Sequence, residues 1–166
     1  LHSFHDVEAW NGVCALTTAD DTYCWGIRIG LVGQTTSVPE LVPGDDGHAF
    51  SQLAVSGYAC GLEASNEIIC WGENSHGVFG NGIHDTRSVF PQPPVGGGQT
   101  FKALSSGGGF HVCGIGTDDV LYCWGYDGTG TIGQGMVGNE LTWRAIAEPH
   151  AVVGGHSFTS VAAGAF

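Results

Sequence analysis

The apolar positions of the chain fall into one pattern that returns three times and begins a fourth. Each copy opens with Phe followed three residues later by Leu or Val: Phe4/Val7, Phe50/Leu53, Phe101/Leu104 and, without a sequel, Phe158/Val161. A C-x9-C-W-G string follows in the first three, at Cys14/Cys24, Cys60/Cys70 and Cys113/Cys123, with Trp25, Trp71 and Trp124 directly after the second cysteine. Downstream come a Gly-x-x-Gly with an apolar third residue (Gly30 to Gly33, Gly77 to Gly80, Gly130 to Gly133) and a variable stretch holding Pro39, Pro43, Pro91, Pro93, Pro94 or Pro149. Successive Phe openers stand 46, 51 and 57 residues apart, and the variation concentrates in that last stretch, which reads as loop. The repeats divide the chain into 1–49, 50–100 and 101–157, with 158–166 as the opening strand of a fourth copy. A repeat of this length is a supersecondary unit that buries its apolar face only by stacking on its neighbours.

Each C-x9-C string predicts a β-hairpin. Pairing Cys14 with Cys24 sets Ala15 opposite Tyr23, Leu16 opposite Thr22 and Thr17 opposite Asp21, around an odd turn centred on Ala19. Odd turns need a residue in the left-handed region, and Asp20, Asn66 and Asp118 or Asp119 lie at the tips, where Asn and Asp adopt it most readily. These residues read as turn formers rather than acidic ligands. Strand side chains alternate, so Tyr23 and Trp25 point one way and Cys24 the other, as do Ile69/Trp71 and Tyr122/Trp124 around their cysteines. The cysteine side also carries Ile68 and Leu121, so in two copies both faces are apolar, as in a sheet packed between two neighbours. The tryptophans therefore read as packing between blades rather than as a ligand-stacking series, with Phe4, Phe50, Phe101 and Phe158 in the same structural core.

Cysteines directly opposite one another on paired strands lie within disulfide range. Zinc sites place paired cysteines two to four residues apart, which nine intervening residues do not match. Three like-spaced pairs with no cysteine left over point to disulfides and to an oxidising, secreted or extracellular setting, with periplasm or cell surface included. The chain starts at Leu1 without the basic and apolar regions of a signal peptide, so a secreted product is expected to have lost its leader. No apolar run approaches the span of a bilayer, and membrane insertion is not expected.

Composition narrows the functions. Four Lys and Arg against 16 Asp and Glu give a net charge of −12, the wrong sign for replacing counterions on a nucleic-acid backbone. The 29 glycines suit short strands and tight turns better than helices.

The combination of Phe-x-x-[Leu/Val], Cys-Ala-Leu (Cys14 to Leu16) or Cys-Gly-Leu (Cys60 to Leu62), [Tyr/Ile]-Cys-Trp-Gly and Gly-x-x-Gly resembles the repeat of the regulator of chromosome condensation family. It is most similar to that family's cysteine-containing secreted variants, and His111, two residues before Cys113, matches a histidine frequent in the family at that place. The resemblance implies an all-β propeller of four-stranded antiparallel blades, usually seven, with function carried by loops on either face. The founding member's role as exchange factor for a small GTPase is disfavoured by the acidic charge and the disulfide chemistry.

No nucleophile elbow, phosphate loop or paired-carboxylate arrangement stands out, so an enzyme is not expected, nor a cofactor. The eight histidines (His2, His5, His48, His76, His84, His111, His150 and His156) show no paired spacing on one element, and no metal is expected. Gln34 to Ser37 reads as a solvated loop able to accept O-linked sugar, and Asp45-Asp46-Gly47 as a turn rather than a calcium site. The leading expectation is a non-enzymatic secreted propeller module that acts through protein contacts, as a recognition surface or as a subunit of an extracellular assembly or filament. The alternative is a binding module for carbohydrate or another small ligand, using Trp10 and Trp143 as stacking platforms. His156-Ser157-Phe158 with Val161 repeats His2-Ser3-Phe4 with Val7, so 155–166 is expected to serve as an assembly strand packed on blade material outside the three complete repeats.

Overall fold

A computed structural model describes residues 3–165 except 11, 28, 30–34, 45–46, 89–90, 93 and 136–143. The described residues form twelve strands and no helix. In chain order these are β1 (Phe4–Ala9), β2 (Gly12–Thr17), β3 (Thr22–Ile27), β4 (Thr35–Leu41), β5 (Phe50–Val55), β6 (Tyr58–Glu63), β7 (Ile68–Asn74), β8 (Thr86–Ser88), β9 (Phe101–Gly107), β10 (His111–Gly116), β11 (Leu121–Tyr126) and β12 (Ala145–Ala151). They build three antiparallel four-stranded meanders, β1–β4, β5–β8 and β9–β12, one blade per repeat.

The register follows from the cysteine pairing. Cys14 faces Cys24, Cys60 faces Cys70 and Cys113 faces Cys123, with Ala15 opposite Tyr23 and Leu16 opposite Thr22. All three pairs are disulfide-bonded, and no cysteine is free. At the hairpin tips Asp20, Asn66 and Asp119 have φ of 65°, 67° and 69°, the left-handed conformation that lets an odd turn close. The glycine after each tryptophan has φ of 87°, 109° and 103°. In the first and third blades it coincides with a register shift between the third and fourth strands.

Two expectations are corrected. The proline-bearing stretch is not loop throughout, because it supplies the fourth strand of the blade: Pro39 lies in β4 and Pro149 in β12. Both are edge strands, where a residue without an N–H need not break a ladder. For the same reason Thr35, Thr36 and Ser37, placed in a loop by their composition, open β4. Gln34, Asp45, Asp46, the first Gly-x-x-Gly and Trp143 lie outside the described residues.

The blades stack in sequence order, with the cystine face of one against the tryptophan face of the next at both seams. Between the first two, Cys14 and Leu16 meet Phe50, Leu53, Ile69 and Trp71. Between the second and third, Tyr58, Cys60, Leu62, Ile68 and Cys70 meet Phe101, Leu104, Val112 and Trp124.

Candidate interaction faces

The seam between the second and third blades shows what each repeated residue does. Trp124 is fully buried, and its indole Nε1 donates to the carbonyl of Val78 at 2.8 Å. The tryptophan of one blade thus ties down the Gly-x-x-Gly turn of the blade before it. Phe101 lies 5.7 Å from Trp124, ring to ring, and its side chain rests on Gly114, where a Cβ would come within 2.6 Å of Cδ1. Phe50 rests on Gly61 in the same way, with the corresponding approach 2.3 Å, and stacks on Trp71 at 5.7 Å.

The first blade departs from this arrangement. Its equivalent of Gly61 and Gly114 is Ala15, which carries the Cβ that the phenyl ring would strike. Phe4 is 41% exposed and stands edge-on to Tyr23 at 6.5 Å. Its expected place in the blade core is therefore corrected: the Cβ of Ala15 closes the seat that glycine leaves open in the other two blades. Trp25, by the same position, is half-buried where Trp71 and Trp124 are 1% and 0% exposed.

Polar straps between inner strands went unread in the sequence. The Asp6 carboxylate accepts the Leu53 N–H at 2.9 Å, and Gln52 both donates to the Leu104 carbonyl at 2.9 Å and accepts the Leu104 N–H at 3.1 Å. Each strap residue stands two positions after the opening Phe, a recurrence that could have flagged it. Asn74 and Asp127, three positions after Trp71 and Trp124, likewise accept the Phe79 and Ile132 N–H groups at 2.9 and 3.2 Å, holding each Gly-x-x-Gly turn. The Tyr58 hydroxyl donates to the His111 carbonyl at 2.7 Å, and burial pushes its phenol pKa far up. His111 is 5% exposed, its Nδ1 meets no partner among the described residues, and burial lowers its pKa.

The histidines disperse. His48 pairs with Glu63 at 2.7 Å, His84 lies beside Asp85, and His76 stacks on Phe110 at 4.7 Å. His76, His84, Asp85, Ser75 and Arg144 line a polar cleft of about 580 Å³ between the second and third blades. Among the described residues no three metal-ligating side chains converge. Trp10 is 50% exposed and leans its indole over Gly108.

The terminal segment joins no sheet. It lies on the cystine face of its own third blade, whereas the sequence suggested packing outside the three repeats. The Phe158 N–H donates to the Asp119 carbonyl at 3.1 Å, Val161 packs on the Cys113, Cys123 and Ile132 cluster, and the Ala163 N–H donates to Ser105 Oγ at 3.0 Å. His156 stands edge-on to Phe158 at 6.4 Å, with Ser157 between them exposed.

No family model matches the chain. The ultraviolet-B receptor UVR8 of Arabidopsis thaliana is 29% identical over 133 residues, covering 76% of this chain and 29% of that protein. Prp20p of Saccharomyces cerevisiae superposes with a TM-score of 0.83 at 16% identity, over 99% of this chain and 42% of that one. The repeats are similar to those of the regulator of chromosome condensation type. Human WBSCR16 shares the propeller fold at a TM-score of 0.80 and 16% identity, over 99% of this chain and 43% of that one. Yeast RCC1 (Prp20) bound to Kap60 does so at 0.72 and 21%, over 93% and 36%. The chain therefore spans less than half the length of each of these proteins.

Proposed function

We propose that this regulator of chromosome condensation type repeat chain is a non-enzymatic secreted module that works by protein contact, as a recognition surface or as part of an extracellular assembly. The observation that carries the reading is the architecture of three stacked four-stranded blades, which the chain shares with proteins that bind other proteins. Val7 and Leu41, 56% and 46% exposed, offer apolar contact surface on it. Similar proteins bind proteins: Prp20p has binding properties to Gsp1p and histones, and yeast RCC1 is seen bound to Kap60. Secretion is supported by the three disulfides and the absence of a free cysteine, since thiols stay reduced in the cytosol.

Two measurements test this. Thiol titration of protein exported into an oxidising compartment should find none without denaturant or with it, while protein made in a reducing cytosol should be less soluble and titrate fully. Photo-crosslinking from position 41 should capture polypeptide. Saturable binding on a glycan array, with no polypeptide captured, would replace the contact reading with the carbohydrate one.

A further inference from the structure

Five described residues other than glycine have positive φ, and three of them, Asp20, Asn66 and Asp119, are the hairpin tips whose odd turns require it. The other two are Asp85 and Phe110, with φ of 58° and 64°. Asp85 lines the polar cleft between the second and third blades, and Phe110 stacks on His76 in the wall of the same cleft. The position of Phe110 is held by Gly57 in the second blade and Asn11 in the first, residue types that tolerate left-handed backbone, whereas for a bulky side chain such a φ is an outlier. The surroundings keep it there. The Tyr126 N–H donates to the Phe110 carbonyl at 2.8 Å, and the ring lies against Gly57 and on the His76 imidazole at 4.7 Å. Strain held in place in this way is found at binding sites.

Each wall of the cleft is fixed from behind. Tyr126 stands edge-on to His76 at 5.3 Å, so the imidazole is oriented by two rings. Asn74 pins the stretch that carries His84 and Asp85: its Nδ2 donates to the Ile83 carbonyl and to Thr86 Oγ1, both at 2.9 Å, and its carbonyl accepts the Asp85 N–H at 3.0 Å. On the third blade the Arg144 carbonyl accepts the Asp127 N–H at 2.9 Å. The groups so placed are mostly donors. A guanidinium carries five N–H donors and no acceptor, so Arg144 can serve another neighbour and still donate into the cleft. Asp85 is the one carboxylate among the described lining residues, and it lies beside His84 Nδ1. Glu73, whose charge reaches His76, is paired with Arg87. In a chain with four Lys and Arg and a net charge of −12, a guanidinium and two imidazoles around one cleft depart from the rest of the surface.

We propose that this cleft is a binding site for a small carboxylate ligand, held by the Arg144 guanidinium and the imidazoles of His76 and His84. A volume of about 580 Å³ suits a small organic molecule. Arginine meets a carboxylate with two parallel N–H donors, which gives orientation as well as attraction. His76 already presents a ring face to Phe110, and no other aromatic side chain lines the cleft among the described residues, so a ligand is met by polar edges rather than by stacking. The site lies at a seam between two blades of this chain and adds a small ligand to the protein-contact reading without resting on it.

Histidine ring-proton NMR of the oxidised 166-residue chain, titrated with acetate, glutarate or citrate at constant pH and ionic strength, tests this. The His76 and His84 signals, assigned through His76→Gln and His84→Gln, should shift saturably, and those of His48 and His150 should not. Glutaramide, which has the same carbon chain without the charge, should leave all of them unmoved. Arg144→Gln should weaken glutarate binding by about tenfold or more, the loss of a charged hydrogen-bonding partner. Lys102→Gln, which removes a cation outside the cleft, should leave binding unchanged. Phe110→Gly should weaken binding severalfold with circular dichroism and disulfide content unchanged, and if it disturbs the fold, Phe110→Leu decides. No saturable shift with any of the three anions, or equal shifts with glutaramide, overturns the carboxylate site. Binding that survives Arg144→Gln at full strength overturns its placement in this cleft, and binding indifferent to loss of the Phe110 ring overturns the role of the strained platform.

Discussion

The tryptophan faces of the first and third blades are built from the same repeated positions and have opposite fates. On the third blade Phe101, Leu104 and Trp124 are at most 2% exposed against the second blade. On the first, Phe4 and Val7 are 41% and 56% exposed and Trp25 is half-buried. Nothing in the Phe-x-x-[Leu/Val] or Cys-Trp-Gly strings separates the two. A blade of this kind has no core of its own, and its apolar residues become interior only when a neighbour arrives, as expected for a quasi-one-dimensional repeat array. One residue beneath the ring adds a second difference, since Gly114 gives Phe101 a seat that Ala15 denies Phe4.

The sharpest way to break this comparison is to truncate the two tryptophans. Trp124→Ala removes a buried indole and its bond to the Val78 carbonyl, and should cost about 3–5 kcal/mol. Trp25→Ala should cost well under half of that, read as the shift of the urea midpoint at constant slope. Equal losses would mean that Trp25 is as fully covered in solution as Trp124.

The disulfides provide a term on which the blades should agree. Each closes a hairpin with the same sequence separation of 10, so paired Cys→Ser replacement should cost about 2–3 kcal/mol in every blade if the unfolded chain is what the bridge restrains. A markedly larger loss for Cys60 and Cys70, whose blade is covered on both faces, would show that packing around the sulfur atoms contributes as well.

Much of this architecture was legible before any coordinates. The C-x9-C-W-G spacing led to the hairpin register, the left-handed Asp and Asn tips and the two-sided burial of the second and third blades, because alternation and turn chemistry are local. The fourth strand was not legible. β4 and β12 hold prolines and polar residues at a sheet edge, where neither the alternation nor a full ladder is enforced. The interblade straps from Asp6 and Gln52 were missed because a lone polar residue in a strand declares no partner; only its recurrence two positions after Phe hints at one. The exposure of Phe4 turns on a single methyl group at Ala15, which does not alter the repeat pattern.

That methyl group gives a finer test. Gly114→Ala places a Cβ within 2.6 Å of the Phe101 ring inside a closed seam, and should cost about 1–3 kcal/mol through overpacking. Ala15→Gly offers Phe4 the seat the other blades provide. Its midpoint should change far less, while the accessibility of Phe4 falls. If Gly114→Ala is neutral, the ring-on-glycine contact is not what distinguishes the covered blades from the open one.

The smallest effect concerns acid. His111 is buried on the third blade at the edge of the segment that carries Gly164, and burial lowers its pKa from the usual 6.5, with a hydrogen bond to the Gly109 backbone working to a lesser extent the other way. Above about pH 6.5 the ring is neutral in both folded and unfolded chains and the group contributes no pH dependence. Below that value and down to the folded pKa, the unfolded chain binds a proton that the folded chain refuses, so stability falls as the solution is acidified. His76, whose pKa burial also lowers, acts in the same direction, so a residual slope is expected when His111 is removed. The first blade supplies the contrast, because Gly12 stands opposite Gly26 where the third blade has His111 opposite Gly125; the fluorescence of Trp25 should vary little over that range. His111→Phe, which keeps an aromatic ring and removes the titration, should flatten the dependence of the thermal midpoint on pH. A variant as acid-sensitive as the parent would place the responsible group elsewhere.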